Sequence, residues 1–243
     1  MEGRARRQEL QTPTAYATAT ILPKYGGKNH IATDNVYADL NEDGVPELAV
    51  GRITVDHPTE LVEIVQRIID YEKQELGPWR RRINMIAGVG GFGKFADFVL
   101  ESATRRFLTN EIPSHYATTM TYGSWRSPFC PDPRRFHSTT IARFNEGCLF
   151  WVYIGHGHRS YLDQVHVPGG SFHIMDINDT PKLQSRVGRP IVIFLACHTG
   201  AFDNETDCLA EQMLRTPGGP IAVLAGSRVT MPYAMAVMGD GMI

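Results

Sequence analysis

Two short apolar runs constrain the fold of this chain more than any other feature of its sequence. They are CLFWVYI at residues 148–154 and PIVIFLA at residues 190–196, and glycine or proline borders each of them. Neither run alternates between apolar and polar residues, so strands formed from them are buried on both faces, as in a parallel sheet covered by helices. The sequence therefore predicts a mainly parallel central sheet inside an α/β fold.

The remaining periodic segments alternate between strand and helix patterns, which favours a three-layer α/β/α arrangement with helices on both faces of the sheet. Further strands are predicted at residues 83–91, 115–123 and 220–227, and helices after Asp56 and at residues 95–108, 134–144 and 208–215. Residues 1–33 have no sustained period and are predicted to be a lead-in or connecting segment. Residues 34–243 form the predicted domain, which we expect to be truncated at its C-terminus because the last helical pattern ends without a cap.

Composition excludes several classes of protein. The chain has 243 residues, of which 42% are hydrophobic and 21% charged, as in a globular protein. A net charge of −2 gives no electrostatic basis for binding nucleic acid or an anionic membrane. No apolar run is long enough to span a bilayer, and MEGRARRQEL lacks the apolar region of a signal peptide. The four cysteines are too few and too irregularly spaced for a disulfide scaffold.

Each of the two apolar runs is followed by a reactive side chain. His156 lies between Gly155 and Gly157 after the first run, and Cys197 directly follows the second. A nucleophilic thiol needs a neighbouring imidazole to hold it as a thiolate, and adjacent parallel strands place their C-terminal ends at one edge of the sheet. The backbone N–H groups of Gly157 and Cys197 would form an oxyanion hole. This pattern predicts a peptide-bond hydrolase, although a cysteine at a strand end is also often only a small buried apolar residue.

A candidate calcium loop precedes these strands. In DLNEDGVPE, oxygen-bearing side chains recur at Asp39, Asn41, Asp43 and Glu47, and Gly44 permits a sharp turn around a hard cation. The loop is shorter than an EF-hand. The alternative interpretation is a solvated turn that joins two strands, the second of them at residues 48–53.

The two strand-end motifs together resemble the gingipain family of bacterial cysteine peptidases, which has a caspase-like fold. The first motif is Gly-His-Gly, and the second is Ala-Cys-His-Thr-Gly-Ala-Phe at residues 196–202. The resemblance extends forward to residue 227 and back to about Asp34. It implies an exported or surface protein that acts on protein or peptide substrates, needs no cofactor for its chemistry, binds calcium and belongs to a longer precursor with further domains.

The resemblance also implies roles for single residues. In well-known gingipains an acidic residue at about the position of Gly90 supports the catalytic histidine. This chain has glycine there instead, so the resemblance supports a dyad of His156 and Cys197 without a third catalytic residue. Asp97 falls near the aspartate with which arginine-specific relatives bind a basic P1 side chain. Ser227 lies in the segment that walls the substrate pocket in the family.

Two alternatives from other classes stay open. His156 and His158, with Asp163, would suit a zinc-dependent hydrolase, because imidazoles two residues apart on an extended chain face the same way. The metallo-β-lactamase type of site needs an acid where this chain has Ser160. The other alternative is a non-catalytic interaction domain of the same fold, in which both reactive residues are incidental.

Overall fold

Nine strands and three α-helices are present in the part of the chain that the structure, a computed structural model, describes: residues 12–19, 28–88, 112–124, 127–231 and 237–238. The strands are β1 (Ala15–Thr18), β2 (His30–Thr33), β3 (Arg82–Ala87), β4 (Ala117–Tyr122), β5 (Phe150–Ile154), β6 (Gln164–Val167), β7 (Gly170–His173), β8 (Ile191–Leu195) and β9 (Ala222–Ala225). The helices are α1 (Pro58–Lys73), α2 (Phe136–Asn145) and α3 (Leu209–Arg215). Within the described ranges, no helix combines the length and the apolar character needed to cross a membrane.

Five strands form the central sheet in the order β4-β3-β5-β8-β9, and every neighbouring pair is parallel. The prediction of a mainly parallel sheet is confirmed. All five strands therefore end at the same edge, and β5 and β8, which precede the two predicted reactive residues, are direct neighbours in its centre. This edge is where open parallel sheets carry their ligand sites.

Alternate residues of the central strands pack on opposite faces, as the period of two requires. Trp151, Tyr153 and Phe194 belong to the core on one face, whereas Val152 and Ile193 belong to the core on the other. All five are almost fully buried. Burial on both faces explains why the two runs contain no polar alternation.

Helices α2 and α3 cover the face that carries Trp151 and Tyr153. Phe136, Phe144 and Met213 of these helices are buried in the same cluster. The helix predicted at residues 95–108 lies outside the described residues. The chain thus has a mixed α/β fold built on a five-stranded parallel sheet.

Helix α1 carries apolar residues at helical spacing, at positions 61, 64, 65, 68 and 69, but they are only partly buried. Ile64 is 2% exposed, but Leu61, Val65 and Ile69 are exposed. The packed face includes Arg67 instead, whose Nη1 donates hydrogen bonds to the backbone oxygens of Leu214 (2.9 Å) and Pro220 (3.1 Å). These bonds explain why a charged side chain replaces the expected apolar contact on this face.

The connection between β5 and β8 has structure of its own. It contains the antiparallel hairpin of β6 and β7, whose tight turn is permitted by Gly169 (φ 95°), and a 3-10 helix, Ile177–Lys182. Two other segments differ from the sequence-based expectation. Residues 48–53 form no strand. The predicted lead-in contains the antiparallel pair of β1 and β2.

Candidate active site

The register of the sheet brings together the regions of the two predicted reactive residues. Ile154 is paired with Leu195, so His156 and Cys197 each lie two residues beyond this last pair of β5 and β8. Gly157 lies against the second strand end: a Cβ on this glycine would be 2.8 Å from the oxygen of Cys197. The backbone after β5 therefore touches the backbone that carries the cysteine, and only glycine permits so close an approach.

The four cysteines differ in their environments. Cys148 and Cys208 are fully buried, and burial raises the pKa of each thiol to about 12. Burial also raises the pKa of Cys130. Cys197 is half-buried, and its Sγ accepts a hydrogen bond from the backbone N–H of Thr230 at 3.3 Å. Its position at the carboxyl edge of the sheet makes it the best placed of the four thiols to meet a substrate.

Tyr153 holds the loop that carries His156. Its buried hydroxyl donates to the backbone oxygen of His156 (2.8 Å) and accepts from the backbone N–H of Asp163 (3.3 Å). Burial, reinforced by the carboxylate of Asp163, raises the pKa of this phenol, so it stays protonated as a donor. A Cβ on Gly155 would lie 2.8 Å from the hydroxyl, which explains the first glycine of the Gly-His-Gly motif.

A buried ion pair braces the loop after Cys197. Arg228 donates through Nη1 to Asp203 Oδ1 (2.8 Å) and through Nη2 to Asp203 Oδ2 (2.6 Å), and the two side chains are only 5% and 6% exposed. Hydrogen bonds from the guanidinium hold the pKa of Asp203 below its ordinary value despite burial. Helix α3 begins only at Leu209, so Asp203 lies in the loop that precedes this helix.

The same arginine joins three parts of the chain. Its backbone oxygen accepts from the N–H of His198 at 3.1 Å, and its Nε donates to the oxygen of His30 at 2.8 Å. His198 has a left-handed backbone (φ 56°), which is unfavourable for a non-glycine residue. The hydrogen bond to Arg228 helps to hold the residue after Cys197 in this conformation, and through β2 the N-terminal segment supports the site.

Sequence reasoning did not identify Tyr153, Asp203 or Arg228 as residues that position the site. The available signal was chemical: a tyrosine inside a buried strand needs a hydrogen-bond partner for its hydroxyl. No comparable signal pairs Asp203 with Arg228, because they are distant in sequence.

Other predicted site residues have different surroundings. Ser227 Oγ donates to the backbone oxygen of Ala32 at 2.9 Å, so its hydroxyl hydrogen is directed at β2. Asp97 and Gly90 lie outside the described residues. Gly157 and Leu162 form an isolated antiparallel β-bridge, in which the N–H of His158 donates to the oxygen of Tyr161 at 2.9 Å. This hydrogen bond does not engage the N–H of Gly157, which is a predicted oxyanion-hole donor.

Among the described residues, no group of three potential metal ligands includes His156 or His158, so the structure gives no support to the zinc-hydrolase alternative. In the described ranges, the groups of three or more potential ligands are His137 with His173 and Asp179, and Asp39 with Asp43 and Glu47. The ring of His158 instead stacks on Tyr161, with 4.6 Å between centroids.

The candidate calcium loop brings its three carboxylates together. One oxygen each from Asp39, Asp43 and Glu47 lie within 4.8 Å of one another. Backbone N–H groups of the loop donate to Asp39 Oδ2 and to Glu47 Oε2, at 2.8 Å and 2.7 Å. Asp39 Oδ1 is buried without a hydrogen-bond partner. A buried, unpartnered carboxylate oxygen beside two further carboxylates fits a hard cation.

Comparisons with known proteins identify the family and the fold of this chain. The family model of peptidase family C25 matches residues 5–243. The fold is similar to the crystal structure of the Arg-specific cysteine proteinase gingipain R (TM-score 0.59, 22% identity) and to the complex of the Porphyromonas gingivalis RgpB pro- and mature domains (TM-score 0.61, 19% identity). These alignments cover 82% and 87% of this chain but 44% and 49% of those chains. A search of curated proteins gives no match.

The likeness to these structures shows that the described part of the chain has a caspase-like fold built on a parallel sheet. Because the family match covers nearly the whole chain, this protein belongs to peptidase family C25, the gingipain family. The chain spans less than half the length of the two solved relatives.

Proposed function

We propose that this chain carries the catalytic centre of a cysteine endopeptidase whose reactive pair is His156 and Cys197. The observation that carries the proposal is the register of β5 and β8, which gives both residues the same offset from the pair Ile154 and Leu195. Membership of peptidase family C25 supports the same chemistry.

In this mechanism the Cys197 thiolate attacks the carbonyl carbon of the scissile peptide bond. The bond to nitrogen then breaks, and the imidazolium of His156 gives its proton to the leaving amine. The product is a thioester on Cys197. His156 next takes a proton from a water molecule, which attacks the thioester and releases the acid and the thiolate. The hydrogen bond from Tyr153 to the backbone of His156 keeps the imidazole at the edge of the sheet.

The backbone N–H groups of Gly157 and Cys197 stabilise the oxyanion that forms in each step. The close packing of Gly157 on Cys197 supports this role, because it brings the two backbones together. Replacing Gly157 with alanine would force a Cβ against the oxygen of Cys197 and separate them.

The substrates are proteins or peptides, as expected for a peptidase family. We propose a preference for a basic P1 residue, bound by the carboxylate of Asp97, with Ser227 contributing to the pocket wall. A buried carboxylate that pairs with a guanidinium at two points would select arginine over lysine. The protein acts outside the cell or on its surface, as part of a longer precursor.

The chemistry requires no cofactor, but we propose a structural calcium ion held by Asp39, Asn41, Asp43 and Glu47. The buried, unpartnered oxygen of Asp39 supports this assignment. Bound calcium would neutralise the mutual repulsion of the three carboxylates and fix the loop.

The proposal is tested by covalent labelling with peptidyl acyloxymethyl ketones that carry Arg, Lys, Asp or Leu at P1. Mass spectrometry locates the modified residue. We expect labelling at Cys197 that is fastest with Arg, is lost in His156→Ala and persists in the matched cysteine variant Cys130→Ala. Asp97→Asn should remove the preference for Arg without abolishing labelling. Peptide hydrolysis that survives Cys197→Ala would refute the proposed nucleophile.

A further inference from the structure

A second cluster of titratable side chains joins α2, β7 and the 3-10 helix that follows. His137 Nε2 lies 3.3 Å from Asp179 Oδ1, and His173 Nε2 lies 3.1 Å from Asp179 Oδ2. The two imidazole rings are in contact, with 4.2 Å between centroids. The Asp179 side chain is 5% exposed, whereas those of His137 and His173 are 21% and 47% exposed. The cluster therefore has a buried base and a side that is open to solvent.

Hydrogen bonds orient two of these groups as they are oriented in metal sites. His137 Nδ1 lies 3.1 Å from the backbone oxygen of Ile174, and because a carbonyl only accepts, Nδ1 carries the hydrogen. In a neutral ring with this tautomer, the lone pair of His137 Nε2 points into the cluster. The backbone N–H of Asp176 donates to Asp179 Oδ2 at 2.9 Å. Support of this kind fixes the tautomer of a ligating histidine and the direction of a ligating carboxylate.

The spacing of the ligand atoms suits a small divalent ion. Metal–ligand bonds of about 2.0–2.1 Å in a tetrahedral site separate neighbouring ligand atoms by about 3.3–3.4 Å. Each imidazole lies close to this distance from one carboxylate oxygen, His137 Nε2 at 3.3 Å from Oδ1 and His173 Nε2 at 3.1 Å from Oδ2 of Asp179, and one ligand atom from each of the three residues lies within 4.8 Å of the others. Two imidazoles and one carboxylate favour zinc over calcium or magnesium, which take mainly oxygen ligands.

Lys182 supplies a positive charge to the same atoms. Its Nζ lies 2.7 Å from Asp179 Oδ1 and 3.2 Å from His137 Nε2. The side chain is 55% exposed on a flexible stem, so it can leave the cluster without unpacking the core. We propose that His137, His173 and Asp179 bind Zn²⁺, with Lys182 as the cation that competes for the site.

Zinc at this position would tether the segment beyond the His156 loop. Residues 174–177 hydrogen-bond to that segment: Ile174 N donates to Asp163 O (3.1 Å), and Ile177 N donates to Ser160 O (2.8 Å). A metal that links α2 to β7 and to Asp179 would therefore restrain residues 174–177 and, through these hydrogen bonds, residues 160–163. The proposal does not depend on peptidase activity.

The experiment uses the whole chain with Cys197→Ala, because a thiolate beside an imidazole would itself bind zinc. Chelator-treated protein is titrated with Co²⁺, and Zn²⁺ is then used to displace it. We expect one equivalent of Co²⁺ to give the visible absorption of a tetrahedral site, and Zn²⁺, but not Ca²⁺, to raise Tm through this site. His173→Ala should weaken Zn²⁺ binding at least about 100-fold, since changes even to the supporting partners of metal ligands cost about 10–100-fold.

Two further variants sharpen the result. Lys182→Met should tighten Zn²⁺ binding several-fold, because it removes the competing charge without removing a ligand. His166→Ala is the matched control: its Nδ1 contacts Ser171 Oγ on the same hairpin, outside the cluster, and Zn²⁺ affinity should not change. X-ray absorption at the zinc edge of the Cys197→Ala chain should show two imidazole ligands. Absence of stoichiometric binding, or affinity unaffected by His173→Ala, would show that the cluster is an ion-pair network only.

Discussion

Asp203→Asn should destabilise the protein strongly, although Asp203 is not one of the reacting residues. The substitution keeps the size of the side chain but leaves the guanidinium of Arg228 without a counter-charge. Both side chains are almost inaccessible to water, at 5% and 6% exposure, so solvent cannot replace the lost partner. The pair is therefore of the buried kind, in which removal of one partner leaves an uncompensated charge.

The expected size follows from that burial. Removing one partner of a buried ion pair costs about 3–5 kcal/mol, and 1 kcal/mol shifts Tm by about 2–4 °C in a chain of this size, so Tm should fall by about 6–20 °C. The side-chain amide oxygen of the Asp203→Asn variant would still accept one of the two hydrogen bonds, which favours the lower part of this range. Because Arg228 also holds the N–H of His198, labelling of Cys197 should slow in parallel.

Thermal unfolding followed by circular dichroism measures the first effect, and the rate of ketone labelling measures the second. The matched control is Asp132→Asn, which breaks an exposed pair with Arg134 and should leave Tm and labelling unchanged. A double variant that makes both Asp203 and Arg228 apolar should recover part of the loss, because it leaves no buried charge. A fall in Tm of less than about 2 °C for Asp203→Asn would refute the reasoning, since it corresponds to about 1 kcal/mol or less.

The same pair predicts an acid-side signature. The pKa of Asp203 is lowered in the folded protein. Its contribution to the free energy of unfolding is therefore fully present above the unfolded-state pKa of about 3.9, and it is lost as the pH falls through the lower folded-state pKa. The stability difference between the parent and Asp203→Asn should therefore be constant near neutral pH and shrink below about pH 4. A difference that instead grew on acidification would contradict the assigned direction of the shift.

Three further predictions concern single groups. Tyr153→Phe should cost about 1–3 kcal/mol in urea unfolding and slow Cys197 labelling, because it removes the hydrogen bond from the buried phenol to the backbone oxygen of His156; unchanged labelling would show that the phenol does not position this loop. Iodoacetamide near neutral pH should spare Cys148 and Cys208 in the folded protein, since thiols with a pKa of about 12 stay protonated, and mass spectrometry of modified peptides checks this. Calcium chelation should lower the Tm of the parent but not that of Asp39→Asn, and an equal response of both would remove Asp39 from the calcium site.

The central sheet and the placement of His156 and Cys197 at its carboxyl edge could be predicted from the sequence because their signals are local. An apolar strand that is buried on both faces has its own composition, and a residue that follows such a strand in a parallel sheet lies at the carboxyl edge. Two such strands in β5 and β8 therefore fix the region of His156 and Cys197 without knowledge of any long-range contact. The glycines beside His156 are equally local, since each marks a place where another group approaches the backbone.

The residues that hold this pair in position could not be predicted, because each acts through a partner far along the chain. Arg228 contacts Asp203, His198 and His30, and a surface arginine in the same sequence context would look no different. Long-range pairing also explains why the N-terminal residues, which have no periodic pattern, are nevertheless part of the structure around Cys197. It follows that a related chain could keep both strand-end motifs and still lose activity by changing Asp203 or Arg228, so these two residues should be checked alongside His156 and Cys197 when activity is inferred from sequence.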